Sequence, residues 1–485
     1  MKHPGPFLGL LMAVLAFPVA VHAAPRASAL GPQAVVAEAS GGFVGTLALS
    51  PENGPAGTPV SVRGGGFLPG DTLDLVWRTV DGHWKVSDGS YNGRDFAPVG
   101  YRIASVTTDA VGSFAVSFTA PEDFGFEHDV VVQKGTRLLT QTAFNLDIAM
   151  TLSPASGPIG TPITVTVHGI GWRDLENSWM LVYDNGFTGW VSSVSTGGTA
   201  QFTIPATGAT GTHVLRLVHG AFTFPYLNPE QNPQPDRARP RAEFTLTPGD
   251  AVLPPAPEAE VQASIRGLPA PGALKVTPAF SGIGKPVEVV AGALQPGKTY
   301  QLNWDTVTGN RVALNGWETR SSVVAQAMAD ANGRAAFGFT VPDDLGGAHA
   351  VWIDDGGKRR EGSFWVTPTA LPLDVAAGPA GTDFTIHLKG VGWSETANIY
   401  NMTYDNAYLG YACGFNSQGD VTIHLTASGD PGWHYVDLYP GIYKGAETRP
   451  DNFRIPQLTA PEDHPGEDLP VLHFAFEVTP PKTDP

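Results

Sequence analysis

The sequence predicts an all-β protein built from tandem β-sandwich domains, and three observations support this. Glycine and proline account for 58 and 43 of the 485 residues, and both weaken helix interiors. Apolar and polar residues alternate in short runs between glycine and proline turns, as half-buried strands do. One set of turns and strands recurs four times, and about seven short strands per roughly 100 residues indicate a sandwich.

The composition limits the classes of function. Hydrophobic residues make up 42% of the chain, which is enough for packed cores. The formal net charge of −17 argues against a nucleic-acid or anionic-membrane partner. Cys413 is the only cysteine, so no intramolecular disulfide can form and a cysteine-ligated zinc site is not expected. We expect its thiol to be buried and inert.

Residues 1–23 have the pattern of a signal peptide. An apolar run at 7–21 follows a short basic start, and small residues at Val21 and Ala23 predict cleavage before Ala24. The run is shorter than the roughly 20 apolar residues that span a bilayer, and Pro18 interrupts it. We therefore expect a secreted, extracellular or periplasmic protein with no transmembrane anchor after cleavage.

The repeated units are of two types, in the order A-B-A′-B′. The motif Gly169-Ile170-Gly171-Trp172 returns as Gly390-Val391-Gly392-Trp393. The predicted units are A at 44–147, B at 148–249, A′ at 272–368 and B′ at 369–480, with a Pro/Ala-rich linker at 250–271. The first A copy carries an insertion that we place at Tyr91 to Tyr101.

Several residues recur at matched positions and are expected to serve the fold. Trp77 and Trp304 are predicted core anchors. Each unit also has a late histidine at the start of an apolar strand, and a residue that recurs at one structural place in every unit favours a structural role. These histidines are His128, His213, His349 and His434.

The openings of the first two units resemble the IPT/TIG group of immunoglobulin-like domains. The matching residues are Pro51…Gly57-Thr58-Pro59-Val60…Gly64-Gly65-Gly66-Phe67 and Pro154…Gly160-Thr161-Pro162-Ile163…Gly169-Ile170-Gly171-Trp172. The third copy departs at Lys285 and the fourth at Ala376. The resemblance implies immunoglobulin-like sandwiches and, in bacteria, secreted or surface modules that act in binding or as spacers.

A Tyr-Asp-Asn triplet is specific to the B-type units. Asp-Asn after a strand favours a hairpin turn, because Asn and Gly tolerate positive φ. The same side chains beside an aromatic ring would also suit a sugar, and their oxygens could bind calcium. The candidate ligand-binding residues are Tyr183, Asp184, Asn185 and Trp190 in B, and Tyr404, Asp405, Asn406 and Tyr411 in B′.

Two long segments near the ends of the B units add to the candidate site. Residues 221–241 and 442–472 are rich in aromatic residues, and the second also has clustered acids. Loops of this length are usually functional or disordered. Each segment is thus either an unstructured insertion or an aromatic binding loop beside the triplet.

The sequence favours an exported, non-catalytic binding or adhesion protein. The expected partner is an extracellular glycan or a cell-surface protein, bound through two equivalent B-type sites that would gain avidity. No cofactor is predicted, and calcium is left open. One alternative is a spacer or matrix protein without a small ligand. Another is a polysaccharide-acting hydrolase or lyase, although neither a nucleophile elbow nor a Walker A loop is present.

Overall fold

Strands dominate the structure, as predicted. A computed structural model of the chain describes residues 24–39, 41–87, 89–221, 224–231, 239–255, 272–309, 317–444, 453–466 and 469–481. The predicted signal peptide and most of the predicted linker lie outside these residues. The helical elements of the described part are three short 3-10 turns: η1 (Ala27–Ala29), η2 (Pro229–Gln231) and η3 (Phe415–Ser417).

Sandwich A consists of a three-stranded sheet, in the order β2-β4-β7, and a six-stranded sheet, in the order β1-β6-β5-β8-β9-β3. Its strands are β1 (Gln33–Ala34), β2 (Thr46–Ser50), β3 (Asn53–Gly54), β4 (Pro59–Gly65), β5 (Thr72–Ser87), β6 (Ser90–Thr107), β7 (Phe114–Thr119), β8 (Phe126–Lys134) and β9 (Arg137–Leu146).

Sandwich B pairs a three-stranded sheet, β10-β12-β15, with the sheet β11-β18-β16-β13-β14, in which β17 adds to β16. Its strands are β10 (Ala149–Ser153), β11 (Ser156–Gly157), β12 (Pro162–His168), β13 (Trp179–Tyr183), β14 (Gly186–Val191), β15 (Ala200–Pro205), β16 (Gly211–Ala221), β17 (Phe224–Pro225) and β18 (Arg241–Leu246).

Sandwich A′ pairs the sheet β19-β21-β24 with the sheet β20-β26-β25-β22-β23. Its strands are β19 (Lys275–Thr277), β20 (Phe280–Ser281), β21 (Pro286–Ala291), β22 (Thr299–Gly309), β23 (Trp317–Met328), β24 (Ala335–Thr340), β25 (Gly347–Asp354) and β26 (Arg359–Val366).

Sandwich B′ pairs the sheet β27-β29-β32 with the sheet β28-β34-β33-β30-β31. Its strands are β27 (Thr369–Ala370), β28 (Ala377–Pro379), β29 (Asp383–Lys389), β30 (Ile399–Tyr404), β31 (Ala407–Cys413), β32 (Val421–Thr426), β33 (Gly432–Pro440) and β34 (Leu472–Thr479).

Each sandwich encloses its own apolar core, because alternate residues of its strands point inward. Strand β4, for example, alternates between exposed and buried positions along its length. Trp77 and Trp304 are 0% and 1% exposed in the cores of A and A′, which confirms their predicted role as anchors. Their indole N–H groups donate to the buried carboxylates of Asp123 and Asp344.

The hairpin of β5 and β6 is the feature of A that most affects the site. Its pairing continues from Thr72 opposite Thr107 to Ser87 opposite Ser90. The predicted insertion, Tyr91 to Tyr101, lies within β6 and so lengthens this hairpin. The hairpin tip thereby reaches B′.

Candidate functional site

Both Tyr-Asp-Asn triplets form tight hairpin turns, which confirms the hairpin interpretation. In B, the two central residues Asp184 and Asn185 have φ of 48° and 77°. In B′, Asp405 and Asn406 have φ of 48° and 64°. Two-residue loops with positive φ at both positions match the twist of the flanking strands. The triplets therefore join β13 to β14 and β30 to β31.

The aspartates of the triplets hydrogen-bond to the repeated histidines. Asp184 accepts a hydrogen bond from Nδ1 of His213 and a second from the backbone N–H of Val214. Asp405 is 2.5 Å from Nδ1 of His434 and makes the matching backbone contact. The hydrogen bond to Asp405 raises the pKa of His434, partly opposed by burial. Both carboxylates are thus engaged in holding the fold.

The histidines have one arrangement in all four sandwiches, which confirms their predicted structural role. In each, Nε2 lies within hydrogen-bonding distance of the backbone carbonyl four residues earlier. Each imidazole also stacks on the aromatic residue of a neighbouring strand. The centroid distances are 4.4 Å for Trp77–His128, 5.4 Å for Tyr183–His213, 4.3 Å for Trp304–His349 and 5.6 Å for Tyr404–His434.

The two asparagines are not equivalent, which corrects the expectation of two equivalent sites. Asn185 is exposed and accepts a hydrogen bond from Arg216. Asn406 is 1% exposed, and its amide donates to the carbonyl of Pro205 at 2.8 Å and to the hydroxyl of Thr207 at 3.0 Å. The second triplet is therefore part of a contact between B′ and B.

Two of the four candidate ligand-binding residues in B are buried, which is a second correction. Trp190 is 0% exposed and Tyr183 is 5% exposed. The Trp190 ring stacks on Phe453 with a centroid distance of 4.1 Å and an interplanar angle of 7°. Tyr411, at the matching position in B′, is 43% exposed. The difference arises because a segment of B′ covers Trp190.

The covering segment, residues 453–466, belongs to the second long loop, and we call it the strap. It pairs with the edge strand β14 of B. The N–H of Trp190 donates to the carbonyl of Pro456 at 2.7 Å, and the N–H of Leu458 donates to that of Trp190 at 2.9 Å. Several strap residues, including Phe453 and Leu458, are buried. This part of the loop is thus packed, which corrects the unstructured alternative.

Asp463 anchors the far end of the strap. It is 1% exposed and accepts hydrogen bonds from the backbone N–H groups of Val194 and Ser195 at 2.8 and 2.7 Å. It also accepts one from the indole N–H of Trp84 on the A hairpin, at 3.0 Å. A single carboxylate of B′ therefore connects to both B and A.

His464 follows this anchor and faces B′. Its Nε2 is 2.6 Å from the carbonyl oxygen of Thr396. Burial lowers the pKa of His464 to about 4. The ring is therefore neutral at physiological pH, and its other nitrogen, Nδ1, lies 2.5 Å from the side-chain oxygen of Gln457.

The tip of the A hairpin completes this junction. The N–H of Tyr91 donates to the carboxylate of Glu395 in B′, and the N–H of Glu395 donates to the carbonyl of Gly89, each at 2.7 Å. The buried residues that meet here form one apolar cluster: Tyr91, Met180, Trp190, Ile442, Phe453 and Ile455. The cluster is shared by A, B and B′.

A row of aromatic side chains lies at the outer border of this cluster, and we call it the aromatic strip. It crosses from B to B′ and includes Phe224 and Tyr411, which are 55% and 43% exposed. Ring contacts link Phe224 to Phe187 at 6.0 Å and Phe187 to Tyr408 at 5.8 Å. The strip consists of five aromatic residues and one arginine beside them: Phe187, Phe224, Tyr408, Tyr411, Tyr443 and Arg454.

Arg454 closes the B′ end of the strip. Its guanidinium lies 5.6 Å from the ring centroid of Tyr411 and 5.0 Å from that of Tyr443. It also donates to the Tyr411 hydroxyl at 3.2 Å, and the Tyr408 hydroxyl donates to its carbonyl at 2.6 Å. The strip therefore combines ring faces with hydrogen-bonding groups.

Cys413 is exposed at the end of β31, which corrects the expectation of a buried thiol. Strand β31 is an edge strand of the B′ sheet, and β30 is its only hydrogen-bonded strand partner among the described residues.

The described ranges contain neither a cluster of metal ligands nor a membrane-spanning helix. Within them, no three His, Cys, Asp or Glu side chains gather as metal ligands. In the same ranges, no helix has the length and apolar character needed to cross a bilayer.

The sequence pattern located the triplets but missed the residues that join the sandwiches. Asp463 was one of several acids in a loop, and Trp190 was a candidate ligand-binding residue. One signal was present: the long B′ loop has large apolar residues such as Phe453, which a solvated loop would not need.

No family model matches the chain, and no curated protein matches it. Among solved structures it is similar to a Salmonella alpha-2-macroglobulin reacted with methylamine, at 10% identity and a TM-score of 0.19. That match covers 90% of this chain and 31% of the other, so the chain spans about a third of that protein.

Two further structures match over most of both chains. The D1–D4 ectodomain fragment of ICAM-5 has 12% identity and a TM-score of 0.19, covering 90% of this chain and 99% of the other. The BSP domain of a biofilm associated protein has 10% identity and a TM-score of 0.14, covering 95% and 100%. TM-scores of this size do not establish a shared fold, so the fold assignment rests on the strands themselves.

Proposed function

We propose that this chain is an exported, non-catalytic binding or adhesion protein that recognises carbohydrate or another surface polymer through the aromatic strip. The proposal keeps the binding role predicted from the sequence and moves the contact surface away from the first triplet. It also retains an assignment to IPT/TIG-like immunoglobulin domains, which the glycine-rich openings of the first units support.

The arrangement of the aromatic strip carries the proposal. Aromatic rings can lie against the apolar faces of sugars, and a few polar groups beside them fix orientation. The exposed rings of Phe224 and Tyr411, with the guanidinium of Arg454, supply both kinds of contact. A row of rings that spans two sandwiches suits an extended polymer better than one small molecule.

The strap supports the proposal by holding the strip in place. Phe187 and Tyr408 pack against the apolar cluster under the strip. Side chains that are already ordered lose less conformational entropy when a ligand binds. The junction therefore favours binding through a preformed surface.

A glycan array probed with the mature chain tests this function. We expect binding to a subset of polysaccharides, and a loss of at least tenfold in affinity when Phe224 and Tyr411 are both changed to Ala. The matched control is Phe43→Ala, which removes a 60% exposed ring outside the strip. An equal loss in the control would contradict the assignment of the strip.

The same assay separates the alternatives. Absence of binding to every glycan, with and without added calcium, would favour the spacer or matrix role. A rise in melting temperature with calcium that chelation reverses would favour a calcium-dependent protein. Release of reducing ends or unsaturated products from a polysaccharide would favour a hydrolase or lyase and overturn the non-catalytic proposal.

A further inference from the structure

The edge strands of the two B-type sheets differ in how they are covered. In B, the edge strand β14 is covered by the strap, which forms a parallel bridge between Trp190 and Gln457. In B′, the matching edge strand β31 has no strap of its own in the described part of the chain. An open edge presents unpaired backbone N–H and C=O groups to other chains.

The space beside two glycines at matching positions shows this difference in how the edge strands are covered. A Cβ atom added to Gly189 in β14 would lie 2.6 Å from the carbonyl oxygen of Pro456 and 2.8 Å from the side chain of Leu458. A Cβ atom added to Gly410 in β31 would meet no atom of the described residues within 4 Å. The strap fills the space beside the first glycine, and no described residue fills the space beside the second.

The composition of β31 leaves this edge without charged protection. Its sequence, Ala407-Tyr408-Leu409-Gly410-Tyr411-Ala412-Cys413, has no charged residue. The edge strand β23 of A′ instead carries Glu318 and Arg320. Proteins commonly protect open edges with charged side chains, and β31 lacks them. Leu409 is 53% exposed, so apolar surface accompanies the open backbone.

We propose that β31 takes up an extended segment of a partner protein by β-strand addition, with the same geometry as the strap on β14. The segment would run parallel to β31, exchange backbone hydrogen bonds with Tyr411, and place an apolar residue over Gly410. The strap supplies the model for its chemistry, a proline followed two residues later by leucine, as in Pro456-Gln457-Leu458. Recognition through main-chain hydrogen bonds and alternate side chains is a general mode of peptide binding.

The probe is a synthetic peptide with the sequence of residues 453–459. In the folded chain this segment already occupies the matching site on β14, so the added peptide is expected to bind β31. Fluorescence anisotropy of the labelled peptide, titrated with the mature full-length chain, should show saturable binding. The variant Gly410→Ala should weaken binding at least tenfold, because the new methyl group occupies the space that leucine needs.

The variant should fold normally, since Gly410 has no positive φ and no described residue fills the space beside its Cβ position. Gly338→Ala is the matched control, because it places a methyl group in equally open space on β24. Equal melting temperatures for the three proteins establish that the fold is intact. Absence of peptide binding, or equal binding by both variants, would overturn the proposal.

Analytical ultracentrifugation tests the main competing occupant. A dimer of the wild-type chain that Gly410→Ala dissociates would mean that a second copy covers β31, and would also overturn the partner-segment proposal. Gly410→Ala leaves every side chain of the aromatic strip in place, so this variant separates segment binding from glycan binding even though both proposals use Tyr411.

Discussion

At the scale of single residues, the triplet aspartates take the place of a backbone carbonyl as the partner of the repeated histidine. In the A-type sandwiches, Nδ1 of the stacked histidine lies 2.9 Å from the carbonyl oxygen of Arg78 or of Asp305. In the B-type sandwiches, the residue at that position is Asp184 or Asp405, and its side chain contacts the ring instead. The residue after the aromatic therefore supplies the histidine partner in all four cases.

This role predicts a stability effect for Asp184→Gly, a substitution that tolerates the positive φ of this position. The change removes an acceptor from His213 and from the backbone N–H of Val214, and we expect the free energy of unfolding to fall by about 1–3 kcal/mol. Urea denaturation measures it. Asp174→Ala, at an exposed loop position, is the control and should change little. A loss of glycan binding without loss of stability would instead return Asp184 to the binding surface.

The lowered pKa of His464 predicts acid sensitivity. The folded-state pKa is about 4 and the unfolded value is about 6.5, so the unfolded chain binds the proton first as pH falls. The contribution of His464 to the free energy of unfolding is fully present above pH 6.5. It declines as pH falls towards 4 and then stays constant. The total loss is about 3 kcal/mol, from 1.36 kcal/mol per pKa unit.

Urea denaturation between pH 7.5 and 4 checks this prediction by comparing wild type with His464→Gln, which does not titrate. The wild type should lose more stability across that window. His83→Gln at an exposed position is the control and should parallel the wild type. His434 acts in the opposite sense, because its raised pKa contributes stability that is lost as pH rises, and it is present in all three proteins. Parallel curves for wild type and His464→Gln would contradict the prediction.

At the scale of elements, the A hairpin and the strap function together. The hairpin brings Trp84 and Tyr91 to the junction, and the strap brings Phe453 and Asp463. The base of the hairpin belongs to the core of A, and the strap adds Leu458 to the core of B. The hairpin tip and Phe453 of the strap are buried at the junction between sandwiches. The tip and the strap would remain exposed in an isolated domain, so their order depends on the junction.

Tyr91→Ala should detach the hairpin tip. Tyr91 is 0% exposed, and truncating a large buried aromatic residue costs about 3–5 kcal/mol. We expect faster hydrogen–deuterium exchange in the tip of the hairpin and in the strap, while the core of A stays protected. Val323→Ala, a 48% exposed residue on the A′ hairpin, is the control. Unchanged exchange in the strap would mean that hairpin and strap are independent.

At the scale of the whole molecule, three of the four sandwiches share one junction. Trp84 of A and Asp463 of B′ are 379 residues apart in the sequence and form one hydrogen bond. The B and B′ sandwiches meet a second time where Asn406 enters B. This packing differs from the sequence expectation of two equivalent sites, because corresponding residues of B and B′ occupy different environments.

The two asparagines give a matched test of this asymmetry. Glycine tolerates the positive φ of both positions, so Asn406→Gly and Asn185→Gly remove the side chains without backbone strain. Asn406→Gly should lower the free energy of unfolding by about 1–3 kcal/mol, because it removes hydrogen bonds from a buried contact. Asn185→Gly, which removes an exposed contact, should cost much less. Differential scanning calorimetry measures both, and equal effects would contradict the contact between B and B′.

The sequence by itself determined the fold class, the hairpin turns at the triplets, the structural histidines and the buried tryptophans Trp77 and Trp304. These features depend on alternation, turn chemistry and residues repeated at fixed places, all of which are local in the chain. Only the tertiary structure decided that Trp190 is covered, that Asn406 is buried while Asn185 is exposed, and that Cys413 is exposed. Those outcomes depend on contacts between segments hundreds of residues apart, and local sequence patterns carry no information about which distant segment will cover a given strand.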